Sequence, residues 1–314
     1  MTNLRNKIAA LIGPAIALFL LIVSTIVIRS ELQSYSAEDI TQSFEAISVF
    51  QFQCAIAFTG LGYLAMTGYD ALAFHHLKQP LAYSRIATTS FISNAFSNTI
   101  GFALLTGGAI RYRRYARWGV SGGAIAQIIA FANFSFWLGL LTIGSVAFLS
   151  MPLPIPAELP LPFSTARPLG VLFLTLALAY LIGSSLIRRP LVLGRHTFYH
   201  PTLSTALRQM VISSLDWGMA AAVLYTLLPT EDISYFAFLN TYLLAMAAGV
   251  VSSVPGGVGV FETVTILLLK DRVPGDAVIA SLLAYRMIYY FLPFGLAAVL
   301  FAFQEVSTKS RRSH

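Results

Sequence analysis

Apolar runs close to the length needed to cross a bilayer constrain this chain more than any other feature. A helix spans ~30 Å of hydrocarbon with roughly 20 residues. Residues 8–28, 45–69, 119–149, 168–187, 207–228 and 277–303 each supply such a run. Lipid offers no partner to backbone N–H and C=O groups, so runs of this kind must satisfy them internally as helices. Only 11% of the 314 residues are charged, against about 25% in a soluble domain. The expected fold class is therefore an all-α polytopic membrane protein, with residues 1–314 forming one transmembrane domain. The first run follows Arg5 and Lys7 and ends at Arg29-Ser30-Glu31. It is longer than a signal-peptide core and reads as a retained helix.

Two further stretches are apolar but irregular. Residues 87–108 carry Thr88, Thr89, Ser90, Ser93, Asn94, Ser97, Asn98 and Thr99. Residues 234–269 are too long for one span and are cut by Ser252-Ser253-Val254-Pro255-Gly256-Gly257. Loop charge indicates how they lie, because Lys and Arg collect on the cytoplasmic side. A full crossing by 87–108 puts Arg111, Arg113, Arg114 and Arg117 outside, whereas a hairpin that enters and returns keeps them in the cytoplasm. With 234–269 as a second hairpin, dipping from the outside, every basic cluster becomes cytoplasmic, as do both termini. The expectation is six full spans plus two re-entrant hairpins among eight apolar segments, the alternative being eight ordinary spans with one exception to the charge rule. Its halves, 1–155 and 156–314, form a possible inverted repeat joined at the Pro-rich loop, an architecture that places a site near the midplane.

The net charge of +7 sits in short loops between apolar runs, where it serves topology and anionic lipid rather than nucleic acid. One cysteine, Cys54, excludes an intrachain disulfide and a Cys-rich metal site, and it reads as a small packing residue. His75-His76 lacks a Glu at metal-helix spacing and reads as a loop feature. No nucleophile, base and orienter set is recognisable, and no cofactor or metal is expected.

Charge inside the hydrocarbon is costly and marks function by default. Arg286 lies nine residues into its span, about 13 Å deep at ~1.5 Å per residue, and Asp216 lies at similar depth from the other side. Val260–Leu269 reads as a short half-helix following the Pro-Gly-Gly break. Its free N–H groups and dipole suit a phosphate, and Glu262 sits in its first turns. Gly256 and Gly257 then belong to a phosphate seat, the alternative being close helix packing. An Arg flanked by Asp216 and Glu262 can hold one ion pair and still offer donors to a phosphate. The alternative is a structural pair that fixes helix register. Tyr289 and Tyr290 lie at i+3 and i+4 from Arg286, on its own face. Asp70 ends its span at the cytoplasmic face, and Arg111, Arg113, Arg114 and Arg117 form a cytoplasmic rim able to gather anionic lipid.

Three motifs, in order over nearly the whole chain, carry a resemblance. They are Phe91-Ile-Ser-Asn-Ala-Phe-Ser-Asn-Thr-Ile-Gly101 with Leu105-Thr-Gly-Gly-Ala-Ile-Arg-Tyr-Arg113, then Pro255-Gly-Gly-Val-Gly-Val-Phe-Glu262, then Tyr285-Arg-Met-Ile-Tyr-Tyr-Phe-Leu-Pro293. The sequence resembles the transmembrane domain of lysyl-phosphatidylglycerol synthase/flippase proteins. That resemblance implies a lipid flippase in the bacterial inner membrane, moving anionic or aminoacylated phosphatidylglycerol between leaflets. In that family a separate C-terminal soluble domain performs aminoacyl transfer. It has no counterpart before His314, so a transporter rather than an enzyme is expected, with a separate lipid-modifying enzyme as a possible partner. The alternative is a membrane subunit of such an enzyme. The expected substrate-binding set is Arg286, Glu262, Asp216, Asp70, Arg111, Asn98, Gly256, Gly257 and Tyr289.

Overall fold

The computed structural model describes residues 36–101, 105–155, 163–187, 191–193, 196–198, 200–230, 233–252 and 257–310. The first expected span, 8–28, lies outside them. Among the described residues, five helices are long and apolar enough to cross a membrane. They are α2 (Val49–His76), α5 (Gly122–Ser150), α6 (Arg167–Leu186), α7 (Leu203–Leu227) and an interrupted last helix. That last helix runs as α10 (Gly275–Tyr285), a π-helical turn (Arg286–Phe291) and α11 (Leu292–Ser310).

Both irregular stretches fold as helix, break, helix. The first gives α3 (Tyr83–Ile100) and α4 (Thr106–Arg117), and the second α8 (Tyr235–Val251) and α9 (Val260–Leu269). Gly101 ends α3 at φ 83°, and Gly259 starts α9 at φ 87°. Side chains rarely adopt such angles, which is why glycine stands at each break. Each pair packs between long helices: α3 and α4 against α2, α5 and α11, and α8 and α9 against α5, α7 and α10.

The centre is the α2–α7 pair, backed by α5. Small residues allow the close approach, as is usual between helices in lipid. A Cβ on Gly139 of α5 would lie 2.7 Å from the Ser213 carbonyl oxygen of α7. Polar side chains then clamp the helices. Trp217 Nε1 donates to the Phe136 carbonyl at 2.9 Å, Gln209 donates to Ser135 at 2.8 Å, and Tyr180 of α6 donates to Gln209 at 2.5 Å. By contrast α6 turns Val171, Leu172, Leu174, Leu178 and Ile182 outward, as a lipid-facing helix should.

Two elements differ from expectation. A short helix, α1 (Ala37–Glu45), precedes α2 and packs on α10, where Ser43 donates to Asp276 at 2.5 Å. Its start is a capping box: Ser36 Oγ accepts from the Asp39 amide, and the Asp39 carboxylate accepts from the Ser36 amide. These bonds hold the Asp39 carboxyl below its usual range. Leu191–Leu193 and His196–Phe198 pair as a small antiparallel ribbon between α6 and α7, an exception to the all-α expectation.

Candidate functional site

Three acids lie inside the helical assembly, and the structure gives each a different partner. Glu262 is the third residue of α9, where a carboxylate meets the positive end of the helix dipole. Its Oε2 accepts from the Gly259 amide at 2.7 Å, and its Oε1 accepts from Arg286 Nε at 2.7 Å. The Arg286 guanidinium lies 4.6 Å from the Tyr290 ring centroid and 5.9 Å from that of Phe261, so aromatic faces cover the cation. The Arg286 and Glu262 side chains keep 15% and 16% of their surface exposed, so this pair is reachable.

The π turn explains how Arg286 and the tyrosines are presented. Pro293 has no N–H to return to the Tyr289 carbonyl four residues back. Tyr63 of α2 donates to that carbonyl at 3.3 Å, and Thr99 of α3 donates to the next one, Tyr290, also at 3.3 Å. π turns inside α-helices are rare and cluster at functional sites. Tyr289 stacks on Tyr285 at 5.3 Å with planes 9° apart, and Tyr285 shares a 2.8 Å hydrogen bond with Tyr242 of α8. Asn98 donates to the Tyr63 hydroxyl at 3.4 Å, which ties α3 into the same layer.

Asp70 belongs to a second centre. Helix α2 continues past it to His76, because Pro80 is the first residue that cannot extend it. Asp70 is thus fully buried rather than at the end of its span. Its carboxylate accepts from Arg111 Nε at 3.0 and 3.1 Å and from the Tyr115 hydroxyl at 2.7 Å. Arg111 also donates to Asn94 at 3.0 Å. The expected cytoplasmic arginine rim is corrected accordingly: Arg111 and Arg114 are buried. Arg114 donates to Thr89 at 3.0 Å and to Gln304 of α11. Helical periodicity is the reason, since positions 111, 114 and 115 share one face of α4 and leave Arg113 and Arg117 exposed on the other.

Asp216 does not flank Arg286 as the sequence suggested. It lies on α7, 2% exposed, and accepts from the Tyr69 hydroxyl of α2 at 2.6 Å. Of the two glycines assigned to the seat, Gly256 lies outside the described residues. Gly257, at φ 63°, lies against Gly249 of α8, where a Cβ on Gly249 would come 3.6 Å from the Gly257 Cα. Its visible role is backbone packing. Tyr69, Tyr115 and Asn94 were missed. Tyr115 stands at i+4 from Arg111, a spacing that would have found it, whereas the Tyr69–Asp216 contact joins residues 147 apart in sequence and leaves no local sign.

Residues 10–297 match the model of a family described as the lysylphosphatidylglycerol synthase TM region. An uncharacterized protein of Synechocystis, slr0712, is 40% identical over 309 residues, covering 98% of this chain and 96% of its own. The inner membrane protein YbhN of Escherichia coli is 31% identical over 261 residues, 82% of this chain and 81% of that protein. A phosphatidylglycerol lysyltransferase of Staphylococcus aureus is 26% identical over 313 residues, which cover 99% of this chain but only 36% of the lysyltransferase.

Proposed function

Since the chain belongs to the family of the lysylphosphatidylglycerol synthase TM region, we propose that it carries phospholipid head groups between the leaflets of a bacterial inner membrane. Its termini would lie in the cytoplasm and its two helix–break–helix units would re-enter from opposite sides. The observation that carries this reading is the Glu262–Arg286 pair. Glu262 occupies a seat made of a guanidinium and a backbone N–H at a helix N-terminus. Those donors are the ones that recognise phosphate. The Glu262 carboxylate fills the anion position. An incoming phosphate shares or replaces it, so Arg286 is never left buried without a counter-charge, a state that costs about 3–5 kcal/mol.

The acyl chains need a different surface. An apolar groove of about 340 Å³ lies between α2 and α7, lined by Leu61, Leu64, Gly68, Tyr83, Ile212 and Leu215 among others. Several of these are exposed apolar side chains, which suits tails that stay in lipid while the head group crosses. The similarity to a phosphatidylglycerol lysyltransferase favours phosphatidylglycerol-type lipids. It also supports a second reading, a membrane subunit acting beside a lipid-modifying enzyme.

Reconstitution separates the two. In vesicles holding trace fluorescent phosphatidylglycerol, the protein should equilibrate the label between leaflets, as read by an impermeant quencher. Arg286→Ala removes a charge-assisted donor worth about 1.5–3 kcal/mol, so the rate should fall about tenfold or more. Leaflet exposure that never changes, with Arg286→Ala indistinguishable from the unaltered protein, would sink the carrier reading and leave the enzyme-subunit one.

A further inference from the structure

Of the three acids inside the helical assembly, one has no cation beside it among the described residues. Asp70 faces Arg111 and Glu262 faces Arg286. Asp216 is more deeply buried than Glu262, yet its hydrogen-bond partner among the described residues is a neutral hydroxyl, Tyr69, on Oδ2. Its other oxygen, Oδ1, is buried and makes no hydrogen bond among the described residues. An isolated carboxylate in such a medium is strongly disfavoured, and the group takes up a proton or a cation instead.

We propose that Asp216 is a proton-binding site, neutral while packed between α2 and α7 and ionised only when water reaches it. Protonation therefore decides whether α2 and α7 can pack around the site. The surroundings fit a proton. The groups facing Asp216 from α2 are Tyr63 and Tyr69, from α8 Tyr242 and from the π turn Tyr289. Helix α5 offers no titratable side chain, Tyr180 of α6 is engaged with Gln209, and α10, which also packs on α7, carries Asp276 and Tyr285, engaged with Ser43 and Tyr242. No cluster of metal-ligating side chains exists among the described residues. Oδ1 lies near Gly62, one of the three glycines of α2. A Cβ on Gly62 would lie 3.5 Å from Met219 Cβ, 3.9 Å from the Tyr289 ring and 4.0 Å from Oδ1, so the bare backbone there brings Asp216 and the π turn to the same spot on α2.

The effect of this site on lipid movement rests on the carrier reading. High pH strips the proton and leaves an uncompensated carboxylate between α2 and α7, which disfavours the packing of the two helices that line the groove. Lipid movement should fall, by up to about tenfold per pH unit once the site titrates, the slope of one proton. Asp216→Asn copies the neutral acid and cannot ionise, so its rate should be flat over the same range. Glu262→Gln should lower the rate but keep the slope. The decisive measurement compares these pH profiles in vesicles buffered equally on both sides. A rising profile, one shared with Asp216→Asn, or one that responds to sodium at fixed pH would overturn the proposal while leaving the carrier reading intact. If no lipid moves at all, the carrier reading fails, and infrared difference spectra still test the proton. At neutral pH the carbonyl stretch of a protonated carboxylic acid should be present in the unaltered protein and missing from Asp216→Asn. Absence of that band in the unaltered protein would reject the site.

Discussion

Asp70 accepts two bonds from Arg111 and one from Tyr115, and all three side chains are buried. A buried pair of this kind contributes little net stability while intact, but removing one partner strands the other. Arg111→Ala should cost about 3–5 kcal/mol, and Asp70→Asn combined with it should recover much of that loss. Detergent thermal denaturation of the two single variants and the double variant checks this. Costs that simply add would show that the pair is not coupled. Both residues stood out in the sequence as rare charges, but their pairing did not. Asp70 looked like a helix end and Arg111 like a loop residue, because four arginines in seven positions match a topology signal as well as they match an amphipathic helix. Arg286 and Glu262 were better placed by sequence, since a broken helix and a deep arginine are local features. Asp216 was misassigned to them because depth along a span says nothing about direction around it.

Between elements, contact is set by where side chains are missing. On Gly139 a Cβ would meet Trp217 at 2.6 Å and the Ser213 backbone oxygen at 2.7 Å. On Gly107 it would meet Ser97 Oγ at 2.2 Å and the Ser93 backbone oxygen at 3.0 Å, while Gly60 has open space around it. Backbone oxygens cannot rotate away, so Gly139→Ala and Gly107→Ala should each destabilise by about 1–3 kcal/mol. Gly60→Ala, in mid-helix and unopposed, should be neutral or stabilise by up to ~1 kcal/mol through helix propensity. Melting temperatures in one detergent test the contrast, and equal shifts at all three positions would show that the packing is not set by these contacts. The helices themselves were legible, because apolar length and turn residues are written locally. The π turn was not. It follows from Pro293 acting together with donors from α2 and α3, and a single sequence does not show that Tyr63 and Thr99 reach those carbonyls.

At the scale of the whole molecule, the open question is which side each helix pair faces. The sequence gives an answer through charge, and the structure supplies the parts: α3 and α4 pack as neighbours, as do α8 and α9, and α9 has only ten residues. At ~1.5 Å per residue α9 reaches about 15 Å, half of a ~30 Å core, so it cannot span alone. The twelve residues of α4 are also short, and that helix buries two arginines. If both pairs re-enter, Arg113 ends on the cytoplasmic side and Asp271, just after α9, on the outer side. Both residues are exposed, so each position can be read by a thiol reagent. In a Cys54→Ser background, Asp271→Cys should react with an impermeant maleimide in cells whose inner membrane is intact. Arg113→Cys should react only after that membrane is opened. Labelling of Arg113→Cys from outside would make α3 and α4 a net crossing and place four arginines against the charge rule. It would also remove the opposed arrangement of the two breaks, and with it the symmetry on which an alternating carrier of this shape depends.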